Sequence, residues 1–456
     1  MSNHWSIIDS WKGWVRYCLE DIAGVDRAVG YSLLSKAWGV VTVPVTIWLI
    51  TTKFTPEIQG YYYTFNSLLL LQTFLELGFT IVLVQFISHE WANLSLSPQM
   101  EIQGDNKSIK RLASLVDLGI KWYLGLSVTF FLVVGTIGLF FLEHSHSNIQ
   151  FQRPWWLLCL AVSLNILLIP MRSFLEGSNR VDLSQKVYLK SNIVSVLAGW
   201  IAICQRAELY TAAIISLVTA VMGFMLLVPN FIPYFKILKY RCTTYNISWK
   251  KDFWPQQWRI GISWVSGFFM FQSFVPILFR LKGPIVAGQM GATLQIYNAV
   301  NAFSQSWVNA VAPKFGILGA RKELTALKRL VKFTYLRSLI ASIFFSGAAF
   351  SVIVLLHYYD LPQANRFADL YSIALLLLVL VVIQLSNVET LVVRFQKREP
   401  FVAASLSAAI IVLISNIIMG KIGGILYVVL GFSIIMLFYL IPLNHYFYKK
   451  EMSRLN

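Results

Sequence analysis

Four side-chain amides, Gln295, Asn298, Gln305 and Asn309, fall at spacings of 3, 7 and 4 within an otherwise apolar stretch. On a helix, those spacings put all four on one face. Asn301, Ser304 and Ser306 flank the stripe, and Tyr297 and Trp307 stand beside it. An amide both donates and accepts hydrogen bonds. Amides among aromatic rings suit sugar hydroxyls and sugar ring faces, and suit a small apolar molecule poorly. Two readings are open. Either the stripe lines a polar cavity, or the amides bond between helices, each contact worth only about 1 kcal/mol. Four on one face exceed what helix association needs, which favours the cavity.

A second polar line runs through an earlier apolar stretch. Asn66, Thr73 and Thr80 recur every seven residues, with Glu76 between them. A carboxylate near the middle of a membrane span is a functional candidate by default. Glu76 is either a proton or cation site or the ion-pair partner of Lys36 in the preceding span. Lys36 alternatively snorkels to the inner face. Four more basic residues are candidates for phosphate contact. Lys53, Arg280 and Lys282 top two turns on the outer side, and Arg172 stands at the inner end of a span. Each has a plainer account: lipid headgroups for the first three, and an i,i+4 ion pair with Glu176 for Arg172.

Soluble catalytic signatures are missing. The chain has no GxxxxGK[ST], so it does not bind ATP through a P-loop, and it has no HExxH. His144 and His146 form the closest histidine pair, in an outside turn. Cys18, Cys159, Cys204 and Cys242 are scattered without a CxxC, which implies neither a disulfide nor a metal site. No cofactor is expected. Energy for vectorial work would come from a gradient, the membrane potential or the cargo itself.

The elements that position these residues follow from composition. The 456 residues are 57% hydrophobic and 13% charged, with a mean hydropathy of +0.63. Soluble domains carry about 25% charged residues, so the chain reads as an all-α polytopic membrane protein. The net charge of +17 then belongs to loops facing anionic lipid, not to a nucleic-acid surface. A span needs roughly 20 apolar residues. That predicts about twelve: 31–52, 60–88, 119–142, 155–175, 185–204, 209–235, 257–281, 285–310, 332–356, 367–393, 400–419 and 422–447. With both termini in the cytoplasm, 30 of the 38 Lys and Arg fall in cytoplasmic segments, 7 fall outside, and Lys36 lies within a span. This is the positive-inside pattern of a multi-pass inner-membrane protein.

The chain divides into an amphipathic cytoplasmic segment (1–30), a first lobe (31–235), a basic, aromatic cytoplasmic linker (236–256), a second lobe (257–448) and a cytoplasmic tail (449–456). The outside loops are all short. The longest connections, 89–118, 236–256 and 311–331, are cytoplasmic, and 311–331 has the pattern of a helix lying along the membrane surface. The lobes look duplicated. A shift of 228 residues pairs Ser35 with Ser263, Gly39 with Gly267, Pro56 with Pro284 and Gly60 with Gly288. Pro-x-x-x-Gly falls both times at the turn between two long spans, the register that duplication leaves behind. The turns at 174–186 and 391–401 are a fainter second match.

Three stretches carry a family resemblance: TPEIQGYYYTFNSLL (55–69), FLELGF (74–79, with Glu76 and Gly78) and NAVAPKFGILGARKELTALKRLVK (309–332). With the twelve-span duplicated pattern, they resemble the polysaccharide-biosynthesis branch of the multidrug/oligosaccharidyl-lipid/polysaccharide (MOP) exporter superfamily. That branch contains lipid-linked oligosaccharide flippases of the O-antigen, lipopolysaccharide-building kind. The resemblance implies two six-helix lobes around a central cavity that opens alternately to each side, and no enzymatic activity. It implies a polyprenyl-diphosphate-linked oligosaccharide as cargo, membrane lipids as surroundings, and glycan polymerase machinery as a further partner. Cavities of this family tend to be cationic. Here few basic residues lie deep within the spans, Lys36 being the clearest, which fits a cavity built for neutral sugars.

Two other classes stay open. A cation-coupled multidrug antiporter of the same fold needs acidic cavity residues, and Glu76 and Glu389 are the candidates, Glu389 close to the inner face beside Arg394. An integral-membrane glycan polymerase or glycosyltransferase needs catalytic groups on an outside loop. Glu143, Asp360 and Asp369 lie at short outside edges, without a paired arrangement.

Overall fold

The computed structural model describes residues 27–96, 102–143, 149–241, 249, 253–321, 323–394 and 400–454. Most of the expected amphipathic segment (1–26), His144 and His146, and the linker at 242–248 and 250–252 lie outside them.

Apolar runs of this length leave every backbone group to be paired within its own segment, so the spans are helices. Among the described residues, nine helices are long and apolar enough to cross a membrane, and the bent pair Pro56–Glu76 with Phe79–Trp91 makes a tenth. The other two of the twelve expected spans are seven and eight. Span seven is divided into Trp254–Phe271 and Phe274–Lys282. Span eight, Pro284–Ala320, is 37 residues long, but amides and glycines interrupt its apolar run. The described chain is all-α apart from one short ribbon, Leu94–Leu96 paired with Ile102–Gly104, in the loop after span two. Asp105 follows the ribbon and caps the helix of span three, accepting from Lys107 N at 3.3 Å and Ser108 N at 3.1 Å. Those donors hold its carboxyl below the usual carboxylate range.

One expected element is absent. Residues 311–331 do not form a separate surface helix. Span eight continues to Ala320, and span nine starts at Leu324. The apolar stripe that suggests surface attachment is buried instead: Val308, Phe315, Leu327 and Val331 pack with Val388 and Val392 of span ten in a small core of their own.

In the first lobe, span five packs against spans one and six, and span six against span four. In the second, span nine packs against spans eight and ten, and span eleven against spans seven and twelve. Span two joins the lobes. Its outer half, Pro56–Leu69, lies along span eight, and its inner pieces lie against span seven. The approach is closest at glycine, as in other membrane helix pairs. A Cβ on Gly60 would overlap the Pro284 carbonyl, and one on Gly288 would stand 2.9 Å from Gly60 N. A Cβ on Gly291 would overlap the Tyr63 ring. The 228-residue shift pairs Gly60 with Gly288 and Tyr63 with Gly291. Equivalent residues therefore touch one another across the lobes, as contact across a pseudo-two-fold axis requires.

Candidate functional site

Span two is bent by 47° between Pro56–Glu76 and Phe79–Trp91. Leu77 (φ 49°) and Gly78 (φ 71°) are both left-handed there, a conformation glycine adopts without a Cβ penalty. The break leaves carbonyls without helical partners. Gln257 of span seven donates to the Glu76 carbonyl at 3.3 Å, and Trp249 of the linker donates to the Gln257 amide oxygen at 2.9 Å. Trp249 also stacks on Trp122 of span three. The linker, span seven and the break in span two are thus joined at the inner side. The Glu76 carboxylate turns into the first lobe. It accepts from the Thr80 hydroxyl, and Tyr123 OH lies 3.2 Å from the same carboxylate oxygen and 2.6 Å from Thr80 Oγ1. No ion pair joins Glu76 to Lys36 among the described residues, and Lys36 is exposed on span one.

Between the lobes lies a cavity of about 410 Å³. Thr73 reaches it from span two, Gln272 from the break in span seven, Asn298, Asn301 and Gln305 from span eight, and Asn387 from span ten. Phe268, Phe271 and Tyr297 supply ring surface. Asn301 is fixed by accepting from Gln384 Nε2 at 2.9 Å. Among the described residues, the lining carries amides, hydroxyls and aromatic rings, and no carboxylate, lysine or arginine.

The amide stripe is divided. Gln295 faces a second cavity of about 230 Å³ in the first lobe, together with Asn66, Tyr62, Tyr63, Thr46 and Trp200. Trp200 Nε1 donates to Thr46 Oγ1 at 2.9 Å. Asn298 and Gln305 face the larger cavity, and Asn309 is exposed towards the inner end of span eight. The split arises because span eight runs between the lobes, so one face serves both. A third space, an apolar crevice of about 350 Å³, lies between span one (Val43, Ile47, Trp48) and spans eight and nine (Ala299, Phe303, Val352).

The basic candidates line neither polar cavity. Lys53, Arg280 and Lys282 are exposed at the outer ends of spans one and seven, and Lys282 Nζ donates to the Lys421 carbonyl at 3.3 Å. Arg172 lies over the Tyr188 ring, 5.9 Å from its centroid. Its expected partner Glu176 accepts from Ser184 Oγ at 2.9 Å. Asp369 caps span ten, accepting from Ser372 N and Oγ at 3.0 and 2.6 Å.

A clasp that the sequence did not single out joins the lobes at the end opposite the linker. The 3₁₀ turn Pro362–Arg366 of the second lobe meets the turn between spans one and two. Arg366 Nη2 donates to the Phe54 carbonyl at 2.7 Å. Gln59 Nε2 donates to the carbonyls of Gly288 and Arg366 at 3.0 and 2.9 Å. Burial lowers the Arg366 guanidinium from its ordinary value, and the Glu57 charge acts in the opposite direction. Arg366 reads in the sequence as one more outer-loop charge. Only its position against Phe54 distinguishes it.

No family model and no curated relative matches the chain. Solved structures do. The lipid II flippase MurJ in an inward closed conformation covers 94% of this chain and 89% of its own at 14% identity, with a TM-score of 0.65. An inward-facing multidrug-resistance MATE transporter of the MOP superfamily covers 91% of this chain and 95% of its own at 10% identity, with a TM-score of 0.61. An outward-facing MATE transporter of the same superfamily covers 94% and 97% at 13% identity, with a TM-score of 0.57. At such identities the likeness is one of fold: this chain has the two-lobed helical architecture of solved MOP superfamily transporters.

Proposed function

We propose that this chain is a flippase that carries a polyprenyl-diphosphate-linked oligosaccharide, a surface polysaccharide repeat unit, from the cytoplasmic to the outer leaflet by alternating access. The observation that carries this reading is the lining of the larger cavity. Six amide or hydroxyl side chains and three aromatic rings, without an acid or a base among the described residues, match neutral sugars, which present hydroxyls and apolar ring faces. The apolar crevice between span one and spans eight and nine suits a hydrocarbon chain left in the lipid while the headgroup crosses. The exposed outer rim of Lys53, Arg280 and Lys282 is where the diphosphate would meet charge on leaving. A cationic drug would want a carboxylate in the cavity. Glu76 is turned away from it, towards Thr80 and Tyr123, so the antiporter reading has less support.

The test is deletion of the gene in its native host, followed by analysis of the extractable lipids. The expected result is full-length lipid-linked oligosaccharide accumulating on the cytoplasmic leaflet while surface polysaccharide is lost. Unpolymerised glycan that still reaches the surface would point to an enzyme. Normal glycan with new sensitivity to cationic drugs would point to the antiporter.

A further inference from the structure

A carboxylate and an imidazole meet at the end of the second lobe that the charge split assigns to the cytoplasm. Glu389 of span ten has a side chain only 7% exposed, whereas that of His445, on the last helix, is 47% exposed. His445 Nδ1 and Glu389 Oε1 are 2.5 Å apart. We propose that Glu389 and His445 form a proton-binding site that ties span ten to span twelve, tightly when protonated and more loosely when not. Its link to transport rests on the transporter reading, whereas the site itself does not.

The chemistry follows from the geometry. Two lone pairs do not meet at 2.5 Å, so a proton already lies between the nitrogen and the oxygen. With Nδ1–H donating to the carboxylate, the remaining acceptor of the ring is Nε2. The exposure of His445 gives water a route to it. A hydronium ion that delivers its proton to the Nε2 lone pair leaves as water. The ring becomes cationic, and the net charge of the pair goes from −1 to 0. A hydrogen bond in which only the acceptor is charged thereby becomes one in which the donor is charged as well. Imidazole as a side-chain type makes this change between about pH 5 and 8.

Two other titratable groups lie against the pair. Span nine contributes Tyr335, which hydrogen-bonds the same carboxylate, and span twelve contributes Tyr448, whose ring stacks on His445. Lys328, Lys332 and Arg337 of span nine, Lys314 of span eight, Arg394 of span ten, and Lys449 and Lys450 of span twelve are all exposed. Glu451 pairs with Arg454 at 2.6 Å. The earlier part of span twelve carries Tyr427 and Tyr439, and Tyr439 bonds Ser407 at 2.9 Å.

Span ten connects this site to the cavity. Asn387 lines the cavity, and Glu389 stands two residues on, about 200° around the helix. A second tie to span twelve begins one residue before Asn387, with Asn444 Nδ2 donating to Ser386 Oγ at 2.9 Å. A proton that tightens the tie between spans ten and twelve therefore holds the cavity face of span ten in place.

Hydrogen exchange on the purified full chain in detergent, without substrate, tests the proposal. Protection factors, corrected for the intrinsic pH effect, are read over 383–394 and 441–453 at pH 8 and pH 5.5. The wild type is expected to gain about fivefold protection at the lower pH. His445→Gln, which keeps a donor but takes up no proton, and Glu389→Gln should both lose that gain. If both variants fold and keep the wild-type pH dependence, or if the wild type shows none, the proposal is overturned. Infrared spectra that show the histidine of the wild type titrating, and His445→Gln lacking that signal, would support it without relying on stability. A chain that flips no glycan but keeps the pH-dependent protection retains the proton site and loses only the flippase reading.

Discussion

Asn298 and Gln305 stand two turns apart on span eight and face the same cavity. Replacing both with Leu should leave insertion and folding intact, because leucine suits a membrane helix. It should cut surface-glycan complementation by at least about tenfold, because a site built to hydrogen-bond its cargo fails sharply once those bonds are gone. Full complementation by that double variant would remove the cavity from the mechanism. Tyr123 tests a different residue-level claim. Its hydroxyl is fully buried and serves both Thr80 and the Glu76 carboxylate. Tyr123→Phe should destabilise the first lobe by about 1–3 kcal/mol, seen as a lower melting temperature in detergent. The same geometry bears on Lys36. Exchanging the charges of Lys36 and Glu76 should not restore a protein damaged by either single change, since Thr80 and Tyr123, not Lys36, hold the carboxylate. Restored export by the swapped pair would show that the ion pair forms in another state of the cycle.

At the scale of elements, the turn Pro362–Arg366 meets the turn between spans one and two and ties the lobes together at the end expected to face outward. Arg366 and Gln59 together place three hydrogen bonds on backbone carbonyls there, all between 2.7 and 3.0 Å. Bonds from charged donors contribute about 1.5–3 kcal/mol each. Arg366→Ala should therefore shift the equilibrium towards an outward-open form by roughly tenfold or more. Spin labels at the exposed outer positions 53 and 421, in a background without native cysteines, would report it as a longer distance between the lobes. An unchanged distance distribution would mean that the glycine contact at Gly60 and Gly288 holds the outer side closed without the clasp.

At the scale of the molecule, the proposed orientation rests on 30 basic residues expected on the cytoplasmic side against 7 expected on the other. Reporter fusions check this directly. An alkaline phosphatase fused after Asp360 should be active, and a fluorescent protein fused after Lys450 should fluoresce, as each does on the outer and inner side respectively. The reverse pattern would invert the proposed direction of transport and place the Glu389–His445 site outside.

The sequence by itself determined the all-α membrane class of the protein and the approximate bounds of most of its spans, and it suggested a register between two halves. Apolar length and charge asymmetry are local properties, readable one segment at a time, and Pro56–Gly60 against Pro284–Gly288 survives as an echo of one segment in another. It also marked Thr73, Asn298 and Gln305, because a polar residue in an apolar helix is conspicuous wherever it points. Which way each points was decided by the tertiary structure. Gln295 lies on the same stripe as Asn298 yet faces the other lobe, since only packing shows that span eight runs between two cavities. The break at Leu77 and Gly78 turned Glu76 inward to Tyr123, a residue 47 positions away. Packing also buried the apolar face of 311–331 that looked made for the membrane surface. Arg366 against Phe54, and His445 against Glu389, are contacts across 312 and 56 positions. No periodicity encodes such meetings, because they depend on how whole helices are arranged and not on the order of residues within one.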